Sequence, residues 1–339
     1  MVIAAELLAA AALAAGPAAT TGAAPQVMPT VYEAGHFYAV PETRDGQRLK
    51  LVVDTGGGGG GGLYWISGAA ANRLHLQTRD CAAGGSHLTV APLPDYRPGH
   101  ALPPPDSDFC GAVVLVNPRG DVTPDDGQLG AGYLPGHVWT FDYPAERLTL
   151  QGSAWRPDPA AHPVPLGFPR DGDGRPTDGF ARIVIRVDGQ PLDMLLDTGA
   201  TAHPTAAGKQ ASGIPTVNGY GVASYITRSV LERWHKAHPG WRVVDGGDDL
   251  LGSKPASRMI EVPDVEIGGW SVGPVWFTER PDRNFGIKGM SRYMDRAVTG
   301  AVGGNVFEHF VMTIDYPHAT AWFRCVTGCK AVATPPPAP

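Results

Sequence analysis

The sequence predicts a mainly β protein made of two tandem lobes that repeat one pattern. Residues 37–54 (FYAVPETRDGQRLKLVVD) return 143 positions later as residues 180–197 (FARIVIRVDGQPLDMLLD), with Asp-Gly-Gln and Asp-Thr-Gly in register. Residues 129–150 return 173 positions later as 302–323, each reading as a Gly-containing turn, an apolar stretch, an Asp-Tyr-Pro turn and a strand. Composition agrees: 45 glycines and 33 prolines suit a loop-rich β chain, and 43% apolar residues leave enough material for real cores.

At 339 residues the chain is longer than one hydrophobic core usually serves. The repeats divide it into a first lobe at 29–151, a Pro/Gly/Asp-rich linker at 152–178, a second lobe at 179–330 and a Pro-rich tail at 331–339 expected to be disordered. A net charge of -6 and the lack of any Lys/Arg block argue against a nucleic-acid partner. Residues 1–28 are alanine-rich, with an apolar run at 7–15 and small-x-small positions around 12–14 and 22–24, so they resemble an export signal. Glu6 stands where such a signal carries a basic residue, and a plain disordered leader is the other reading. That run is too short to span a membrane, and no other segment is longer.

In the first lobe, Asp45-Gly46 predicts a hairpin turn between apolar or β-rich runs, so Asp54 ends the second strand of a hairpin; Asp188-Gly189 does the same for Asp197. Seven glycines at 56–62 follow Asp54. They mimic a phosphate-binding loop, but no Lys-Ser/Thr follows, so nucleotide binding is discounted. An even count of four cysteines with local spacing points to two disulfides, Cys81 with Cys110 and Cys325 with Cys329, which suits export. A zinc site using Cys81, His87, His100 and Cys110 is the sharper alternative, although its spacing matches no common ligand pattern. Residues 91–108 read as an irregular surface excursion.

In the second lobe, Asn218-Gly219-Tyr220-Gly221 offers a flexible turn, and residues 227–237 read as a helix with Ile226, Val230, Trp234 and Ala237 roughly on one face, stopped by Pro239-Gly240. This helix accounts for part of the thirty extra residues that separate the two signatures in this half. His235 and His238 could share a ligand face on it, but no third ligand is in view. Gly269-Trp270-Ser271-Val272-Gly273 matches the Gly-x-Ser-x-Gly pattern, yet strand-like segments flank it and a hairpin turn explains it better than a nucleophile elbow. Residues 280–296, with Phe285, Met290, Tyr293 and Met294, form a long excursion that either walls a cleft or caps the lobe.

A hairpin, an Asp-Thr-Gly and a late Gly-containing element leading to a strand, all occurring twice, resemble the pepsin and retropepsin-like aspartic peptidases over residues 31–325. The stretch Val302-Gly303-Gly304-Asn305-Val306-Phe307, running on to Ile314-Asp315, looks like the C-terminal lobe of that superfamily. The resemblance implies a bilobal acid-protease fold in which Asp54 and Asp197 share one site. It implies that Thr55 and Thr198 brace their loops across the lobe interface, and that Gly56 and Gly199 let the backbones approach. By the same resemblance a hairpin flap covers the cleft, with Tyr220 as a candidate in the second lobe and a tip near Gly84-Gly85 in the first.

Two departures stand out. Gly57 occupies a position where the resemblance expects Ala or Ser, as at Ala200, and the late elements Gln128-Leu129-Gly130 and Ala301-Val302-Gly303 are not strongly apolar at their first positions. Close carboxylates share a proton, so one can take a proton from water while the other polarises a carbonyl. The expectation is therefore an exported aspartic endopeptidase acting on a peptide or protein, with no cofactor and no metal, in which one chain supplies both aspartates. The alternative is a peptidase-like protein that binds a peptide without cutting it; intact aspartates in both lobes favour the enzyme.

Overall fold

The structure is a computed structural model that describes residues 24–332 apart from 59–61, 84–85, 106–109, 119–122, 124 and 253. It is mainly β, with three large sheets. The greater part of the expected leader (1–23), the middle of the glycine run and the end of the expected tail (333–339) lie outside the described residues.

The first half opens with Gln26–Val27 (β1), then Thr30–Glu33 (β2) and His36–Ala39 (β3) joined through Ala34-Gly35, both left-handed. Leu51–Val53 (β4) returns antiparallel to β3, with Tyr38 opposite Val52. Gly46 does turn the chain with φ +85°, but at the end of an irregular arm bridged at Glu42 and Arg48 instead of a tight two-residue hairpin. Trp65–Ser67 (β5) leads into Gly68–Arg73 (α1), capped by the Ser67 hydroxyl accepting from Ala70 N–H. Arg79–Ala83 (β6), Ser86–Pro92 (β7), Val113–Asn117 (β8) and Gly127–Leu129 (β9) complete an eight-stranded sheet ordered β2-β3-β4-β9-β5-β8-β7-β6. Strands β3, β4 and β9 are buried at every position, so their sequences show no inward/outward alternation, and His36 and Gln128 are polar residues carried inside them. Val138–Asp142 (β10) and Arg147–Leu150 (β11) close the half.

The second half adds His162–Pro165 (β12), then Arg182–Val187 (β13) and Gln190–Leu196 (β14), which meet at the two-residue turn Asp188-Gly189 with φ +52° and +69°. Thr201–Ala202 (β15), Ala206–Ser212 (α2) and Gly221–Val222 (β16) follow, then Ser224–Thr227 (β17) and Arg228–Ala237 (α3), which buries Val230, Leu231 and Trp234. Next come Val243–Asp248 (β18), Ser257–Val262 (β19), Val265–Ile267 (β20), Trp270–Val272 (β21) and Val275–Arg280 (β22). Asp282–Phe285 (α4) and a 3-10 turn at Met290–Tyr293 precede Gly300–Val302 (β23), Gly304–Phe307 (α5), Phe310–Asp315 (β24), Thr320–Cys325 (β25) and Lys330–Ala331 (β26). Phe285 and Met294 pack with Phe180, Leu195 and Ala301 of this half and with Ala131 of the first, so the 280–296 excursion covers the second half where it meets the first.

Seven strands of each half repeat in the same order. The order β3-β4-β9-β5-β8-β7-β6 matches β13-β14-β23-β17-β22-β19-β18, with the same sequence of antiparallel and parallel pairings. Helix α3 therefore corresponds to α1 and is not the insertion that the sequence suggests. The extra residues lie mostly after Asp197, where β15, α2 and β16 intervene before β17, and between β22 and β23, where α4 sits.

The third sheet joins the halves in the order β1-β11-β10-β24-β25-β12. At its centre Thr140 faces Thr313, the same position of the 173-residue repeat, and their hydroxyls share a hydrogen bond of 2.8 Å. A local twofold axis thus passes between them. Three corrections to the sequence boundaries follow. Gln26–Val27 pair with β11 and Met28 is buried, so these residues of the expected leader belong to the fold. The expected linker contains β12, whose Pro163 and Pro165 are tolerated because the strand lies at the sheet edge. Ala331 pairs with Trp270 and Val332 N–H donates to Gly269 O, so the fold runs two residues into the expected tail. The main apolar cluster draws on both halves, with Trp139, Phe141, Phe307, Phe310 and Phe323 all fully buried.

Candidate active site

Asp54 and Asp197 each follow the last residue of an interior strand, β4 and β14. Each is fixed there by a parallel neighbour: Asp54 N–H donates to Leu129 O and Asp197 N–H to Val302 O, both at 3.0 Å. The glycine that follows in each neighbour is a space requirement. A methyl group at Gly130 would run into the carbonyls of Gly57 and Gly58, and one at Gly303 would stand 2.9 Å from the Ala200 side chain and against Ala223 O. The late Gly-containing element of each repeat is thus the floor on which the aspartate loop rests.

The loops then bind each other reciprocally. Thr55 N–H donates to Thr198 Oγ1 (3.1 Å) and Thr198 N–H to Thr55 Oγ1 (3.0 Å). Thr55 hydroxyl donates to Leu196 O and Thr198 hydroxyl to Val53 O, each at 2.7 Å. Both threonines are buried. Gly56 N–H donates to Asp54 Oδ1 (2.8 Å) and Gly199 N–H to Asp197 Oδ1 (3.1 Å), orienting both carboxyls. Each carboxyl lies on the other half's glycine: a methyl at Gly56 would stand 2.5 and 2.6 Å from the Asp197 oxygens, and one at Gly199 would stand 2.5 Å from Asp54 Oδ2. Only glycine leaves room for the two side chains to meet.

Asp197 is buried and its carboxyl is held well above the usual carboxylate range, chiefly by burial, then by the charge of Asp54 and a side-chain hydrogen bond with it. The N–H groups of Gly199 and Ala200 oppose the rise without cancelling it. Above the pair lies a cavity of about 160 Å³ lined by Tyr38, Asp125, Gln128, Ala200, Thr201 and Tyr225 among others. Tyr225 hydroxyl donates to Thr201 O (2.6 Å), and its ring lies under the Arg280 guanidinium at 4.1 Å. Arg280 is itself buried against Asp248 at 3.0 Å. A larger hollow of about 810 Å³ lies elsewhere, between Arg228, Arg258, Glu232 and Glu279, whose charges are paired with one another.

The other residues singled out from the sequence fall into place. Cys81 is bonded to Cys110 and Cys325 to Cys329. The first pair leaves no thiolate for zinc, and no group of three His, Cys, Asp or Glu among the described residues could hold a metal ion. Tyr220 packs on His203 with ring centroids 5.0 Å apart and does not line the cavity over the aspartates. The topological counterpart of the β6–β7 hairpin is β18–β19, not the Tyr220 turn. The Gly84-Gly85 tip lies outside the described residues. Ser271 sits mid-strand in the β20–β21 hairpin, and His238 stacks on Trp241 (4.2 Å) and bonds Asp188 (2.8 Å).

Gln128 escaped the sequence reading as a site residue. Its amide donates to Asp54 Oδ2, although a polar residue in an otherwise buried parallel strand was the available signal. No model of a known protein family matches the chain, and no curated protein matches it.

Proposed function

We propose that the chain is a bilobal aspartic endopeptidase of the pepsin and retropepsin-like kind, hydrolysing peptide bonds in the cleft between its lobes. One observation carries this reading: the crossed threonine hydrogen bonds that press two carboxyls from duplicated Asp-Thr-Gly loops against each other. With Asp197 protonated and Asp54 ionised, Asp54 takes a proton from water as its oxygen attacks the scissile carbonyl carbon, while the Asp197 proton passes to the carbonyl oxygen. The resulting diol collapses as the amide nitrogen takes up a proton and the C–N bond breaks, releasing an acid and an amine. No covalent bond to the enzyme forms.

Two disulfides, and the absence among the described residues of a helix long and apolar enough to cross a membrane, fit an exported protein. The test is cleavage of a diverse peptide library from acid to neutral pH by the oxidised chain, Asp54→Asn and Asp197→Asn. Cleavage by the parent and a loss of roughly a hundredfold or more in both variants is expected, the scale of a lost general acid or base. A folded parent that retains peptide but cuts none at any pH would overturn the reading in favour of a binding protein.

A further inference from the structure

The twofold repeat fails at one place beside the aspartates. On β9 the residue facing β5 is Gln128, opposite Trp65; on β23 the corresponding pair is Ala301 opposite Tyr225. Gln128 is buried, accepts a hydrogen bond from Trp65 Nε1–H at 2.8 Å and donates from Nε2 to Asp54 Oδ2. An indole N–H can only donate, so it fixes the amide with its oxygen towards Trp65 and its NH2 towards Asp54. The NH2 can only donate in turn, so Asp54 Oδ2 is its acceptor, and a donor on that oxygen favours the ionised carboxylate. Oδ1 accepts from Gly56 N–H, so both oxygens of Asp54 face donors.

We propose that Gln128, locked by Trp65, is the positioning residue that makes Asp54 the ionised, proton-accepting member of the pair and leaves the shared proton to Asp197. This rests on the peptidase reading above for its catalytic meaning, not for the charge state itself. The two departures of the chain from the resembled pattern become one device. A side chain at Gly57 would collide with Gln128 Nε2 and Asp54 Oδ2, and one at Gly58, where φ is +53°, would stand 2.5 Å from Gln128 Oε1 and 2.8 Å from Trp65 Nε1. Glycine after Asp-Thr-Gly is what lets an amide enter, and Ala200 with Ala301 shows the other half arranged without one.

The titratable groups described around the pair act differently from the amide. Asp197 faces Asp54 directly, and Asp125, Tyr38 and Tyr225 line the same cavity. Tyr316 feels the charge of Asp54 from the direction of β24, and Tyr143 that of Asp197. Carboxylates and phenols nearby oppose a negative Asp54 or are neutral, so the amide is the asymmetric donor. Burial and the neighbouring charge already raise Asp197, which is the complementary half of the same arrangement.

The experiment compares the parent with Gln128→Leu, Gln128→Met and Trp65→Phe by two readouts. In the pH dependence of kcat/KM, the acidic limb is expected to move up by about one pH unit in both Gln128 variants, the size of a lost hydrogen bond to a charged group, and less far in the same direction in Trp65→Phe. In a 13C carboxyl NMR titration, with Asp54→Asn and Asp197→Asn marking the pair, the lower of the two coupled steps is expected to rise by a similar amount. A folded Gln128→Leu or Gln128→Met whose lower step stays in place overturns the proposal, even if its activity falls uniformly. A parent that cuts nothing but whose lower step moves on substitution supports the role of Gln128 and overturns the peptidase reading alone.

Discussion

His36 provides a quantitative test of how the second aspartate loop is anchored. Its imidazole is 1% exposed on β3, with Nε2 3.1 Å from Thr201 Oγ1 and further contacts to the carbonyls of Gly199 and Ala200. Burial pushes it down from 6.5 to about 4, with a smaller push from Lys50, although the carbonyl contacts favour the charged form. Between pH 6.5 and 4 the unfolded chain therefore binds a proton that the folded chain refuses, so stability falls as pH falls. At about 1.4 kcal/mol per pH unit, that interval corresponds to about 3 kcal/mol. His36→Gln cannot charge and removes this component. Urea unfolding of both proteins at steps from pH 7.5 to 4 is the assay. The parent is expected to lose about 3 kcal/mol more than the variant across the window, whatever the offset between them at pH 7.5. Parallel curves would refute a neutral, buried His36 and with it this account of the contact between β3 and the Asp197 loop.

Other substitutions bear on the same architecture. Thr198→Val removes two buried hydrogen bonds and leaves a Thr55 N–H and a Val53 carbonyl without partners, so a loss of about 2–4 kcal/mol in urea unfolding is expected, together with a fall in any cleavage activity. Gly199→Ala drives a methyl into Asp54 and is expected to abolish cleavage while the chain still folds cooperatively by circular dichroism. Replacing Cys81 and Cys110 by serine opens a loop with a sequence separation of 29 and is expected to cost about 3 kcal/mol, read as a lower melting temperature. Opening Cys325–Cys329, with a separation of only 4, is expected to cost less in the same measurement.

Much of this was legible because it is local or repeated. Asp188-Gly189 adopts the left-handed pair of dihedrals that its dipeptide favours, α3 follows its apolar spacing, and the two Asp-Thr-Gly loops meet as their matched positions suggest. What could not be read depends on partners distant in sequence. That β12 pairs with β25 follows from the sheet edge available to it, and its prolines alone read as linker. The equivalence of α1 and α3 is hidden because one has six residues and the other ten, and because the insertion before β17 shifts the count. Tyr220 follows Asp197 by a plausible number of residues for a flap, but those residues are spent on α2 and leave the ring on His203. Gln128 looked like a weak apolar position until its amide had Trp65 and Asp54 on either side.

The joining sheet has a bearing on assembly. Each half brings three strands to it, β1, β10 and β11 from one and β12, β24 and β25 from the other, and the halves meet along β10–β24 without interleaving. The peptide connection between them runs from β11 to β12 and takes no part in the threonine bonds that align the aspartates. A nick in that connection would leave every alignment contact in place. Two fragments divided between residues 151 and 161 would carry between them every strand of the joining sheet and both threonine loops, so the alignment of the aspartates rests on noncovalent contacts and not on the covalent continuity of the chain.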